Sequence, residues 1–278
     1  MRGPVSADGA PRRPRSGPWW ATGLALLALV LLASFMARGD PFTQRLEEDL
    51  RPPSREHPLG QDKLGRDVLS RLLYGARVSL GVGISVVLIS ATLGLALGGV
   101  AGTVGGRTDR IVMGVVDVLL AFPGLLLAIA VVAALGPGVT NVVLSLSLLG
   151  WTGYARLVRG QILSLREREF VAAARALGAR PVRIAARHLI PNLAGLLTVQ
   201  ATFGIAGAIV AEGSLSFLGL GVPAPLPSWG GMLADARPYL LIAPHLTIAP
   251  AAVIAFTVLA INLLGDHLRD RWERASSR

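Results

Sequence analysis

The chain has 278 residues, of which 52% are hydrophobic and 16% charged, with a net charge of +10 and no cysteine. A soluble domain carries about 25% charged residues, so this balance excludes an ordinary soluble fold. The missing cysteine excludes disulfides and thiolate metal sites. The only lysine, Lys63, follows Asp62, which excludes a standard Gly-Lys-Ser/Thr phosphate loop. The apolar residues come in long uninterrupted runs, which marks an all-α integral membrane protein.

Residues 1–18 are rich in Pro, Gly and Arg and read as a disordered cytoplasmic tail. Residues 19–37 are apolar and uncharged. A cleaved signal peptide has an apolar core of about 7–15 residues. This run is longer and opens with Trp19-Trp20, so it reads as a retained first transmembrane helix. Residues 38–77 are polar and form an extracytoplasmic segment. An interfacial helix is expected within it at 66–77, where Leu69, Leu72, Leu73 and Ala76 share one face among Arg66, Arg71 and Arg77.

The helical core is expected over 78–265. Its second span, 78–103, carries Gly81, Gly83, Gly94, Gly98, Gly99 and Gly102. Small residues at such spacing let helix backbones approach closely in lipid. After a short loop at 105–110, the third span covers 111–135. It contains Asp117, whose intramembrane carboxylate needs either a charged partner or a wet pathway. Pro123 is expected to kink this span. The fourth span, 139–156, ends at Trp151, Tyr154 and Arg156.

Next comes a basic loop, 165–190. Ser164 and Glu167 stand in the spacing of a capping box. Gly178 sits where a helix would end in a left-handed residue, and Pro181 suits the first turn of a second helix. Pro191-Asn192 is expected to stop that helix. Ala172, Ala173, Ala174 and Ala176 lie beside Phe170 and Leu177, flanked by Arg166, Arg168 and Arg175. Such a surface fits a docked protein or the membrane interface.

The fifth span, 193–211, is closed by Glu212. Residues 213–244 are apolar yet full of Gly and Pro. Irregular backbone facing lipid is not viable, so this segment should be buried in protein or line a cavity. Trp229 within it is either a pathway or outer-gate residue or an interfacial belt tryptophan. The sixth span, 245–264, leads to a cytoplasmic tail at 266–278.

Charge orients these six spans. With loop 165–190 inside, the inner segments carry 18 cations and 7 acids, and the outer ones 9 of each. That is the positive-inside pattern. The basic excess therefore reflects topology, not nucleic-acid binding. Both termini are then expected in the cytoplasm of a multi-pass membrane protein.

Several stretches resemble one family in the same order. H-P-L-G-Q-D-K-L-G-R-D-V-L-S-R begins at His57, and D-V-L-L-A-F-P-G begins at Asp117. A-A-R-A-L-G at 173–178, with H-L-I-P-N at 188–192, is similar to the "EAA" loop of importer-type ABC permeases. E-G-S-L-S-F-L-G-L-G begins at Glu212, followed by P-S-W-G-G-M-L at 227–233. The chain thus resembles the inner-membrane permease subunit of a binding-protein-dependent ABC importer, in the dipeptide/oligopeptide/nickel branch. Ala172 replaces the motif's leading glutamate, and Gln61 stands where threonine is usual.

The resemblance implies a type I importer permease with six transmembrane helices and a cytoplasmic coupling-helix loop. It implies ATPase coupling at Phe170, Ala173, Ala174, Leu177, Gly178 and Pro191. Asp117, Glu212 and Trp229 are the candidates for the pathway or outer gate. The implied partners are a homologous second permease, two ABC ATPase subunits carrying ATP and Mg, an extracytoplasmic solute-binding protein and the lipid bilayer. This chain itself would hold no cofactor and perform no catalysis. The cargo would be di- or oligopeptides, with nickel or another small solute as the alternative. From a different class, a stand-alone secondary transporter would need several charged residues within its spans.

Overall fold

The computed structural model describes residues 19–36 and 39–276; the expected tail at 1–18 lies outside them. Among the described residues ten helices run in order: α1 (Trp19–Met36), α2 (Val68–Val104), α3 (Gly106–Leu120), α4 (Gly124–Leu135), α5 (Val139–Arg166), α6 (Glu169–Ala176), α7 (Pro181–Ile184), α8 (Ile190–Phe217), α9 (Trp229–Ala236) and α10 (His245–Ser276). Short 3₁₀ turns and one π segment join them. There is no strand among the described residues, only an isolated bridge between Gln61 and Asp67.

Three helical stretches among the described residues are long and apolar enough to cross a membrane: Val68–Val104, Ala185–Phe217 and His245–Trp272. The α3–α4 pair makes a fourth if it counts as one span. These two helices meet at 88°, so Pro123 ends a helix here instead of merely kinking it. Proline cannot donate a backbone hydrogen bond, and it biases its predecessor away from helical geometry. α5 is long but diluted by Ser145, Ser147, Thr152 and Tyr154. All four are buried against neighbouring helices.

α2 extends further toward its N-terminus than expected. Residues 66–77 do not form a separate interfacial helix, because α2 runs unbroken from Val68 and is about 55 Å long. Asp67 caps it, accepting from the Ser70 backbone N–H and hydroxyl, both at 2.7 Å. The 105–110 loop is also shorter than expected. Only Gly105, at φ +71°, separates α2 from α3.

The glycines of α2 explain its closest packing. Gly94, Gly98 and Gly102 are four residues apart and meet Tyr154, Ala155 and Ile162 of α5. A Cβ at Gly98 would stand 2.8 Å from Ala155 Cα, a separation that real packing does not allow. Gly83 faces Ile205 and Ile209 of α8, whereas Gly81 and Gly99 face open space. At the other side of the bundle, Gly23 of α1 lies against Ala260 of α10. Arg77 donates to the Ser34 carbonyl, bracing α1 against α2.

α10 continues past residue 264 to Ser276. Gly195 of α8 makes room for the indole of Trp272. The expected tail is therefore largely a helical extension docked on α8.

Candidate functional site

Two regions outside the plain helix packing combine unusual residues. The first is the segment between α5 and α8. Ser164 lies inside α5, and Glu167 is the C-terminal cap of that helix. The expected capping box is therefore absent: the spacing is right, but α5 runs through it. Arg168 opens α6 with no side-chain cap.

The other end of α6 behaves as expected. Gly178 has φ +78°, a left-handed value that suits glycine. Its N–H donates to Arg175 O at 2.9 Å, and Ala179 N–H donates to Ala174 O at 3.0 Å. These two bonds make a Schellman stop, which satisfies the last carbonyls of the helix. Ala174 and Ala179 turn inward and pack on a small apolar core of Val158, Ile162, Val171, Ile184, Leu189 and Leu193. That core joins α6 to both α5 and α8.

The outward face of α6 is apolar. Leu177 is 88% exposed and Phe170 41%; Ala172, Ala173 and Ala176 are exposed between them. Phe170 is braced by the His188 ring, 6.2 Å away. Arg166 donates to Gly102 O at 2.8 Å, which ties the base of this segment to the end of α2.

Pro191 is placed differently from expectation. It does not stop a helix; α7, the π segment Ala185–Leu189 and α8 follow one another without a break. A proline removes one donor and crowds the carbonyl four residues earlier. The wider π turn relieves this, with Ile190 N–H reaching Ala185 O. Asn192 then donates its side-chain amide to His188 O at 2.6 Å.

The second region lies where α2, α8 and α9 meet. Glu212 is buried within α8, because that helix runs on to Phe217. Ser216 Oγ donates to Glu212 Oε1 at 2.7 Å, and Ser79 Oγ lies 3.2 Å from Oε2. Trp229 is fully buried. Its backbone N–H donates to Ser79 Oγ at 3.1 Å, and its indole N–H to Leu72 O at 3.0 Å. This burial overturns the belt-tryptophan reading. Two candidates, Glu212 and Trp229, thus share one serine that is far from both in sequence.

The 213–244 segment is half inward, as expected, and half not. Ser228, Trp229, Met232 and Ala236 are buried, whereas Leu241 and Ile242 are exposed. Asp117 is separate from this network. It accepts from Arg156 Nη2 at 2.7 Å across α3 and α5. Asp109 pairs in the same way with Arg159, at 2.5 and 2.6 Å. An apolar concavity of about 340 Å3 opens at the α3–α4 elbow, with Phe122, Leu125, Leu146 and Gly204 among its walls.

A further charged cluster has pairings that the sequence reading did not anticipate. The stretch from His57 into the first turn of α2 folds into a charged cluster beside α9. His57 Nδ1 lies 2.9 Å from Asp67 Oδ1. Gln61 donates to Glu48 Oε2 at 2.9 Å and holds that carboxyl below its usual range, with Arg51 and Arg45 adding to the effect. Asp62 binds Arg66 Nε at 2.7 Å, and Lys63 binds Asp235 of α9 at 2.7 Å. The motif beginning at His57 marked this stretch in the sequence, but not which of its charges pair.

Long apolar helices joined by glycine seams, with a short C-capped helix on an exposed surface, define a helical membrane protein. The chain belongs to the family of binding-protein-dependent transport system inner membrane components, whose pattern matches residues 94–278. It is 45% identical to the glutathione transport system permease protein GsiD of Pectobacterium atrosepticum, over 90% of this chain and 84% of that one. It is 42% identical to the dipeptide transport system permease protein DppC of Bacillus subtilis, over 89% and 78% of the two chains. It is 39% identical to the oligopeptide transport system permease protein OppC of Bacillus subtilis, over 93% and 86%. The solved MetNI methionine ABC transporter, in an inward-facing conformation, matches with a TM-score of 0.54 at 18% identity. The match covers 72% of this chain and 95% of that one, and it supports the fold alone.

Proposed function

We propose that this chain is one half of the translocation path of an ATP-driven importer of di- or oligopeptides. In this reading it crosses the inner membrane six times, with both termini and loop 165–190 in the cytoplasm. A homologous second permease completes the path. Two separate ATPase subunits hold ATP and Mg2+, and an extracytoplasmic binding protein delivers the cargo. The peptide assignment rests on relatives whose names specify glutathione, dipeptides and oligopeptides.

One observation carries the coupling role. α6 ends in a rigid stop and presents Phe170, Ala173 and Leu177 outward, while its inner face is fixed to α5 and α8 through a shared apolar core. A push on α6 would therefore displace both long helices together. Gly178 sets the stop, Ala174 anchors the inner face, and Pro191 sits where the segment re-enters the bundle. ATP hydrolysis supplies the work, and this subunit converts it into alternating access. Glu212 and Trp229 act as a latch on the outer side, and Asp117 holds α3 against α5.

The orientation is tested by placing a cysteine at Arg175 in the cysteine-free chain and labelling intact cells and inverted vesicles. Labelling from the cytoplasmic side alone supports the proposal; labelling only from outside overturns it. Peptide transport is tested separately, by peptide uptake in vesicles holding the full complex and its binding protein. Uptake that needs neither ATP nor the binding protein would favour a secondary transporter.

A further inference from the structure

A concavity of about 260 Å3 lies where the end of α2 meets the segment that follows α5. Its walls are Thr103, Arg166, Arg175, Ala179, Ile184 and Leu189. A water molecule takes about 30 Å3 in the liquid, so the space admits a much larger group. Arg166 is held in place by its bond to Gly102 O at 2.8 Å, which uses one of its five N–H donors. Arg175 makes no ion pair among the described residues. The Thr103 hydroxyl is turned back on its own helix, donating to Gly99 O at 2.7 Å. No carboxylate stands among these lining residues. The concavity therefore presents two guanidinium groups against an apolar wall. Over 165–190, six arginines accompany two glutamates, so the surroundings add to the positive charge.

The face of α2 that carries Thr103 continues along the helix through Val100, Ala96 and Leu93, at helical spacing. All three are exposed. α2 is long and apolar enough to cross a membrane, so an exposed apolar strip on it suits acyl chains. Here the strip ends in a cationic pocket at the last turn of the helix. Guanidinium groups grip phosphate oxygens through paired N–H donors, and basic pockets beside membrane helices take anionic head groups.

We infer that this concavity binds the head group of an anionic phospholipid, with its phosphate held by Arg166 and Arg175 and its chains along Val100, Ala96 and Leu93. A zwitterionic head group would bring its own cation toward two guanidiniums. Inorganic phosphate has the charge but gains nothing from the apolar strip. The bound lipid fastens the end of α2 to α6 and α7. The inference needs α2 to span the bilayer, but not the importer role, so the two can fail separately.

The test is thermal unfolding of the purified full chain in neutral detergent micelles. Phosphatidylglycerol, phosphatidylcholine or inorganic phosphate is added in separate series. Phosphatidylglycerol is expected to raise the melting temperature by about 3 °C in a saturable way, and the other two to leave it unchanged. Arg175→Gln and Arg166→Gln should each abolish the rise. Should Arg166→Gln fail to fold for want of its bond to Gly102 O, Arg175→Gln decides, because that side chain is exposed. Arg107→Gln removes the same charge from an exposed position outside the pocket and should keep the full rise. No rise with phosphatidylglycerol overturns the proposal, as does an equal rise with phosphatidylcholine. An equal rise with inorganic phosphate assigns the pocket to a free anion and overturns the lipid. Equal loss in Arg107→Gln reduces the effect to net charge and overturns the site. A rise retained in Arg175→Gln, with poorer recovery of the ATPase, gives that arginine to a protein partner and also overturns it.

Discussion

Ser79 of α2 and Glu212 of α8 are 133 positions apart, yet their side chains meet at 3.2 Å in the buried seam beside α9. The same hydroxyl accepts the backbone N–H of Trp229 at 3.1 Å. One small side chain therefore fastens three helices. Ser79→Ala should leave the Trp229 N–H unpaired and Glu212 with one donor fewer, at a cost of about 1–3 kcal/mol. The check is the melting temperature of the purified complex. An unchanged value would mean that the seam does not depend on this hydroxyl.

The contact of α2 with α5 predicts a contrast between neighbouring glycines. Gly98→Ala drives a methyl group into the Ala155 backbone and should destabilise by about 1–3 kcal/mol. Gly99→Ala meets open space and should be neutral or stabilising by up to about 1 kcal/mol. Comparing the melting temperatures of the two variants separates packing from helix propensity.

Gly178→Val places a branched residue at φ +78°, where a side chain costs about 1–2 kcal/mol. The α6 stop should loosen while the membrane bundle stays intact. Proteolysis of vesicles should then cut near residue 178 faster, with unchanged total protein in the membrane. Unaltered cleavage would show that the stop is not held by this glycine.

Leu177→Ser changes a residue that is 88% exposed, so the stability of the variant should stay within about 0.5 kcal/mol of the original. If Leu177 docks on an ATPase subunit, removing it loses about 1.5–3 kcal/mol of burial. Recovery of the ATPase with the tagged permease should fall at least about tenfold. Full recovery would place the docking surface elsewhere.

The Asp117–Arg156 pair predicts charge-reversal behaviour. Asp117→Arg should lower membrane yield by setting two cations together between α3 and α5. Combining it with Arg156→Asp should restore the yield. If the double variant is no better than the single one, the pair contributes nothing to the packing of these helices.

Local chemistry was readable in advance wherever one residue type decides the outcome. Gly178 was legible because only glycine enters the left-handed region without strain, and Pro181 because a helix start tolerates a missing donor. The glycine seam of α2 was legible in kind, although the choice of Gly94, Gly98 and Gly102 over Gly81 and Gly99 depends on where α5 lies. Ser164 and Glu167 misled because a capping-box spacing also occurs inside a helix, where nothing needs capping. Pro191 misled because the π turn before it removes the clash that would otherwise stop the helix. The start of α2 was misplaced because the arginines at 66–77 suggested an interfacial helix, whereas Asp62 pairs with Arg66 and Arg71 where the long helix begins.

By itself the sequence determined that the chain is helical and membrane-embedded, where its punctuating glycines and prolines fall, and which family it resembles. These follow from composition, run length and local backbone preference, which act over a few residues. Only the tertiary structure decided that Glu212, Ser79 and Trp229 form one seam, that Asp117 answers Arg156, and that Lys63 reaches Asp235. Those pairings join residues far apart along the chain. Their distances are set by how closely the helices pack, and no local pattern encodes that.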